Sequence, residues 1–245
     1  MIVPSLRCLK RLKLALIFDY DGVLERSIEE NCSAWQEAFK KKNVPFNKEK
    51  YFLLEGKKGE EIIYDLLLSE GKKSKGLLNE IVKVKQTIYK QISTFTLYPY
   101  VLEIIELLLK KGIPIGVVSG GSKKRLFSGQ RKKFLERFNV VITGDEVEFT
   151  KPHPEPYLRA AEKLGVKPNS CIVIENAPLG IDSALKAGMF CTALCTTLPN
   201  TCLSKAHVVL KDHKELKEWL LEKVLNEGFA TNKVLNTEAV WRKNC

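Results

Sequence analysis

The chain has 245 residues, enough for one large domain or a domain with an insertion, and 44% are hydrophobic, an ordinary share for a globular protein. Its formal net charge of +11 admits nucleic acid, a membrane surface or an anionic small molecule as partner. The basic residues fall in short scattered runs, such as Lys40-Lys41-Lys42, Lys57-Lys58, Lys123-Lys124-Arg125 and Arg131-Lys132-Lys133. They lack interleaved aromatics, so they read as solvated helix faces and argue against nucleic acid. No run reaches transmembrane length, and the basic start, Met1 to Lys13, has no secretory h-region. Seven cysteines form no CxxC pair. A reducing, cytoplasmic setting without membrane attachment is expected.

Residues 1 to 12 read as a loose lead-in. The apolar run Leu14 to Phe18 predicts a buried strand that stops at Asp19-Tyr20-Asp21-Gly22. From about Glu29 the pattern turns helical, with Trp35, Ala38 and Phe39 on one face. Asn43-Val44-Pro45 breaks it. Glu60 to Leu68 and about Leu77 to Ile92 are further helices, the second carrying Ile81, Val84, Ile88 and Ile92 at spacings of three or four. Residues 29 to 97 thus contain helix and no strand, a helical insertion placed to cover a site.

Beyond Tyr98 strand and helix alternate. Helices are predicted over 101–111, 122–137, 156–164, 179–187 and 214–224, and strands over 113–119, 140–143, 171–175, 190–194 and 208–210. That alternation predicts an α/β fold, a doubly wound, Rossmann-like parallel sheet with a helical domain inserted after the first strand. The expected division is a discontinuous core of 1–28 and 98–225, an insertion of 29–97 and a polar tail of 226–245, which docks through Trp241 if it is ordered.

Four stretches carry chemistry. Asp19 and Asp21 leave the carboxyl end of the first strand, where open parallel sheets place ligands. Acids held so close bind a divalent cation, share a proton, or divide nucleophile and acid/base roles. Ser119-Gly120-Gly121 ends a second strand, where a hydroxyl and bare backbone donors can hold phosphate oxygens; a plain turn with Ser122 as N-cap is the alternative. Thr150-Lys151-Pro152-His153-Pro154 is a proline-stiffened loop with a lysine, and Glu175-Asn176 ends a third apolar strand.

In this order the four stretches resemble the haloacid dehalogenase-like superfamily, subfamily I, in the branch of beta-phosphoglucomutase and small-molecule phosphatases. The resemblance covers about Leu14 to Leu221. It implies that Asp19 is a nucleophile forming an aspartyl-phosphate and that Asp21 protonates the leaving oxygen and later activates water. It makes Ser119, Gly120 and Lys151 the phosphate contacts, with Lys151 also touching the nucleophile. It implies Mg2+ as cofactor, held by Asp19, the Asp21 carbonyl, Asn176 and Glu175. Asn176 departs from the family's usual acid there. Glu25-Arg26 also departs, where the family has an Asp-Ser pair, and marks a hinge. The helical insertion corresponds to a cap, in which Lys57 and Lys58 are candidates to meet substrate.

Beta-phosphoglucomutase has a histidine where this chain has Asn31 and an arginine where it has Gly59. A phosphatase acting on a small phosphorylated metabolite, as monomer or dimer, is therefore the expectation. A phosphomutase, or a weakly catalytic protein that binds a phosphorylated ligand for regulation, is the alternative.

Overall fold

The computed structural model describes residues 14–69, 71 and 75–226. The lead-in and the tail with Trp241 lie outside them. Six strands form one parallel sheet: β1 (Ala15–Asp19), β2 (Ile115–Val118), β3 (Val140–Ile142), β4 (Cys171–Glu175), β5 (Phe190–Leu194) and β6 (Val208–Leu210), in the order β3-β2-β1-β4-β5-β6. The order reverses between β1 and β4, which opens a crevice at their carboxyl ends. Phe18 pairs with Ile174 and Asp19 with Val118, so Asp19 and Glu175 leave neighbouring strands at the same level.

β1 is apolar on both faces because both are covered. Leu16 and Phe18 face Ile104, Ile105 and Leu108 of α5 (Val101–Lys110). Ala15 and Ile17 face α8 (Glu155–Leu164) and α9 (Pro178–Lys186) through Tyr157, Ala161 and Ile181.

Between β1 and β2 come α1 (Ile28–Lys40), α2 (Lys48–Leu53), α3 (Gly59–Ser69) and α4 (Lys75–Ile92). They close around their own apolar core of Trp35, Phe39, Tyr51, Ile63, Leu67 and Ile81. The chain enters and leaves this unit side by side: the Arg26 amide donates to the Thr96 carbonyl at 2.8 Å and the Tyr98 amide to that of Leu24 at 3.1 Å.

The structure corrects several expectations. The single helix over 122–137 is two, α6 (Lys123–Leu126) and α7 (Gly129–Leu135), broken at Phe127-Ser128. The last helix is α11 (His213–Trp219), started by Asp212 capping the amides of Lys214 and Glu215, and it runs on as a π-helical turn over Leu220–Asn226. The short helices α2 and α10 (Asn200–Leu203) carried too few periodic positions to read. The basic runs are not all solvated either. Arg131 is buried on the fully buried Glu25, its Nε 2.9 and 3.0 Å from the two carboxylate oxygens, so the predicted hinge is pinned by an ion pair. Arg125 is likewise engaged in the crevice.

Candidate active site

The crevice holds a small cleft lined by Asp19, Asp21, Glu55, Gly56, Lys57, Gly120, Gly121, Glu175, Asn176 and Ala177. Asp19 is the last residue of β1 and its carboxylate takes an ion pair from Lys151. Burial raises the Asp19 pKa and Lys151 pulls it back.

Lys151 is 1% exposed and reaches across to Glu175 as well, at 2.7 Å. Burial disfavours its charge, but the two carboxylates more than offset that and hold it protonated. Glu175 is saturated: Oε1 takes Lys151 and the Tyr157 hydroxyl, both at 2.7 Å, and Oε2 takes the amides of Asn176 and Ala177 at 2.9 and 3.2 Å. As placed, Glu175 orients the lysine.

Gly180, in the first turn of α9, stands so close that a Cβ there would overlap the Glu175 carboxylate. Gly180→Ala should therefore destabilise the fold by about 1–3 kcal/mol despite its better helix propensity. A urea midpoint equal to wild type would contradict that close packing.

Asp21 sits in the turn that Gly22 makes with φ +84°, a conformation costly to other residues. A side chain at Gly22 would also overlap the Asn176 amide. The Asp21 carboxylate is held from three sides. Arg125 grips it with both terminal nitrogens, Nη1 at 2.8 Å; the Ser27 hydroxyl donates to one oxygen and that of Ser119 to the other, at 3.3 Å. Burial alone would raise its pKa, but the Arg125 guanidinium wins and brings it down to about 2.

Ser119 follows β2 and its Oγ also accepts the Gly121 amide at 3.0 Å. The carbonyls of Gly56 and Lys57 lie against Gly120, so the loop of the helical unit closes directly on this turn. Asn176 commits its amide nitrogen to Thr197 at 3.0 Å, leaving the carbonyl oxygen as the atom for a cation.

The predicted residues Asp19, Asp21, Ser119, Gly120, Lys151, Glu175 and Asn176 thus converge. Lys57 borders the cleft but pairs with Asp65 at 2.6 Å. Lys58 is turned away, its Nζ donating to the Val147 carbonyl at 3.0 Å. Sequence reasoning missed Arg125, hidden in a basic run, and Glu55, which no motif marks. It also missed Lys85, whose Nζ sits on Asn31 Oδ1 at 2.7 Å and over the rings of Trp35 and Tyr89. Burial lowers the Lys85 pKa to about 7 and raises that of Glu55 to about 7.

The arrangement suits a divalent cation. Hard oxygen donors from Asp19, Asp21 and Asn176 meet in one cleft, and four carboxyl groups border it against two cations that touch them, Lys151 and Arg125. Among the described residues no three His, Cys, Asp or Glu side chains stand grouped as metal ligands, so the donor set needs Asn176 and a backbone carbonyl.

The model of haloacid dehalogenase-like hydrolases matches residues 16–194, from β1 through β5. The chain belongs to the haloacid dehalogenase-like hydrolase family. Validoxylamine A 7'-phosphate phosphatase of Streptomyces hygroscopicus subsp. limoneus is 33% identical over 206 residues, 84% of this chain and 96% of that protein. Hexitol phosphatase A of Escherichia coli is 26% identical over 201 residues, 82% of this chain and 91% of that protein. The crystal structure of beta-phosphoglucomutase from Clostridium difficile superposes with a TM-score of 0.75 at 26% identity, covering 85% of this chain and 95% of that one. With family and relatives in agreement, this haloacid dehalogenase-like chain is a hydrolase of phosphate esters. Among its described residues no helix is long and apolar enough to cross a membrane.

Proposed function

We propose that this hydrolase is a Mg2+-dependent phosphatase that cleaves a small phosphomonoester through an aspartyl-phosphate on Asp19. The observation that carries the reading is the Asp19 carboxylate in the sheet crevice, steadied by Lys151 and sharing its cleft with Gly120 and Asn176. An Asp19 oxygen attacks phosphorus, and the ester P–O bond breaks toward the leaving alkoxide. Asp21 supplies the proton to that alkoxide. It then takes one from the water that attacks the phosphoryl group, returning Asp19 as a carboxylate and releasing phosphate. Gripped by Arg125, Asp21 is set as the base; acting as the acid requires it to turn from Arg125 toward the leaving oxygen. Lys151 and the Ser119 turn offset charge on the phosphoryl oxygens. Mg2+, held by Asp19, the Asp21 carbonyl and Asn176, would neutralise charge between nucleophile and phosphate when bound. Glu175 serves this set through Lys151.

The helical unit of α1–α4 is a cap over this chemistry. The relatives named for validoxylamine A 7'-phosphate and for hexitols point to polyol-like leaving groups. The mutase reading loses ground at both diagnostic positions: Asn31 is engaged by Lys85, and Gly59 has no cation to offer, while even a Cβ there would meet the Trp35 ring at 3.3 Å.

The test is phosphate release from a panel of phosphorylated metabolites, which should require Mg2+ and stop with chelator. Release that ignores chelator would overturn the metal assignment. Asn176→Asp adds a negative charge to the donor set and should tighten Mg2+ on the order of tenfold by calorimetry. An unmoved constant would remove Asn176 from the set.

A further inference from the structure

Glu55 lies in the loop between α2 and α3 that rests on the core. A Cβ on its neighbour Gly56 would come within 3.0 Å of the Lys151 Cδ, so this loop lies close over the lysine, and Glu55 lines the cleft that holds Asp19. It is 8% exposed. Tyr51 of α2 hydrogen-bonds this carboxyl group, yet Oε1 has no partner. Among the described residues, it is the only such orphaned buried side-chain atom whose residue lines the cleft. A buried carboxylate oxygen left bare is costly, and the cost disappears when a donor arrives.

The surrounding groups say what kind of donor. Arg125 is spent on Asp21, Lys57 on Asp65, and Lys85 on Asn31 and two aromatic rings. A cationic amine would enter beside these three cations. A second phosphate or a carboxylate would face Glu55 and Asp21. A neutral hydroxyl meets neither penalty and supplies the missing hydrogen bond.

We propose, on the basis of the phosphatase reading, that Glu55 is a specificity-determining residue: its free oxygen accepts a hydrogen bond from a neutral hydroxyl of the leaving group. The site thereby selects hydroxylated phosphomonoesters over those whose leaving group is bare hydrocarbon or carries a second anion.

Three six-carbon esters test it: glucitol 6-phosphate, hexyl phosphate and 6-phosphogluconate. A site built around a hydroxyl rejects the analogue lacking it because its own polar group is stranded, so wild type should favour the glucitol ester on the order of 100-fold in kcat/KM. Glu55→Gln keeps the shape, and its amide can donate to a carboxylate. It should shrink the preference over 6-phosphogluconate by about tenfold, and Glu55→Ala should shrink the preference over hexyl phosphate similarly. Ratios within twofold of wild type in both variants would overturn the proposal.

Calorimetric binding of the three esters to Asp19→Asn, with and without Glu55→Gln, separates the two readings. Binding that tracks Glu55 without any turnover by wild type condemns the phosphatase and leaves Glu55 standing. Turnover with unchanged ratios condemns Glu55 alone.

Discussion

Asp19→Asn should lose turnover by a factor on the order of 10⁴ or more and keep its fold. Asparagine has the shape of aspartate but cannot form the acyl-phosphate bond, so the first half of the reaction has no nucleophile. The fold survives because the position does not depend on the charge. Burial works against ionisation of Asp19, and Lys151 retains Glu175 at 2.7 Å when Asp19 is neutral. The melting temperature should therefore stay within about 3 °C of wild type, the scale of a change under 1 kcal/mol in a chain of this size. Acid-quenched wild type should carry hydroxylamine-labile phosphate from substrate, and the variant none. Normal turnover by a folded Asp19→Asn protein would sink the phosphoenzyme.

What the sequence disclosed was whatever a strand end discloses. Asp19, Ser119 and Glu175 follow apolar runs that have to be buried, so their placement at one edge of the sheet follows from the alternation of strand and helix. Lys151 was legible because prolines surround it. Arg125 and Arg131 were not. Each sits in a run of cations that looks solvated, and its carboxylate lies 104 or 106 residues earlier in the chain, a pairing no local pattern encodes. The single helix over 122–137 fails locally: the chain breaks at Phe127-Ser128, where Ser128 is extended with ψ 138° ahead of Gly129 at φ +55°, the first residue of α7. Glu55 carries no signal at all, since its meaning lies in the unpartnered oxygen it presents.

Arg125 also changes how the charge in the site is understood. Asp21, the proposed acid/base residue, is tied to a guanidinium from α6, which in turn lies against the Tyr89 ring of α4. Asp21, the turn after β2 and the inserted helices are thus joined through one side chain. A cap that opens would disturb the Arg125 contact with Tyr89 and leave its grip on Asp21 intact, because α6 belongs to the sheet domain.

Lys151→Met should be the most damaging single change to stability. The methionine fills much of the lysine's volume, so the loss is electrostatic rather than a cavity. It strands Glu175, 1% exposed, and Asp19 in the same low-dielectric crevice without their shared cation. Removing one partner of a buried ion pair costs about 3–5 kcal/mol, which in a chain of this size lowers the melting temperature on the order of 10 °C. The sign of the pH dependence distinguishes this cause from a packing defect. In wild type the folded-state pKa of Lys151 is raised, so its contribution is fully present below the ordinary lysine value and is lost only as pH climbs through the raised one. In the variant the buried Asp19, whose folded-state pKa is already raised, loses the cation that holds it down, so that pKa climbs further. It binds a proton more readily in the folded state than in the unfolded, so the deficit should be largest near neutral pH and shrink as pH falls toward the ordinary carboxylate range. Urea unfolding with chelator at pH 7.5 and 5 measures it directly. A deficit equal at both values would mean that Lys151 stabilises the protein by filling space, and that the charge balance proposed for the site is wrong.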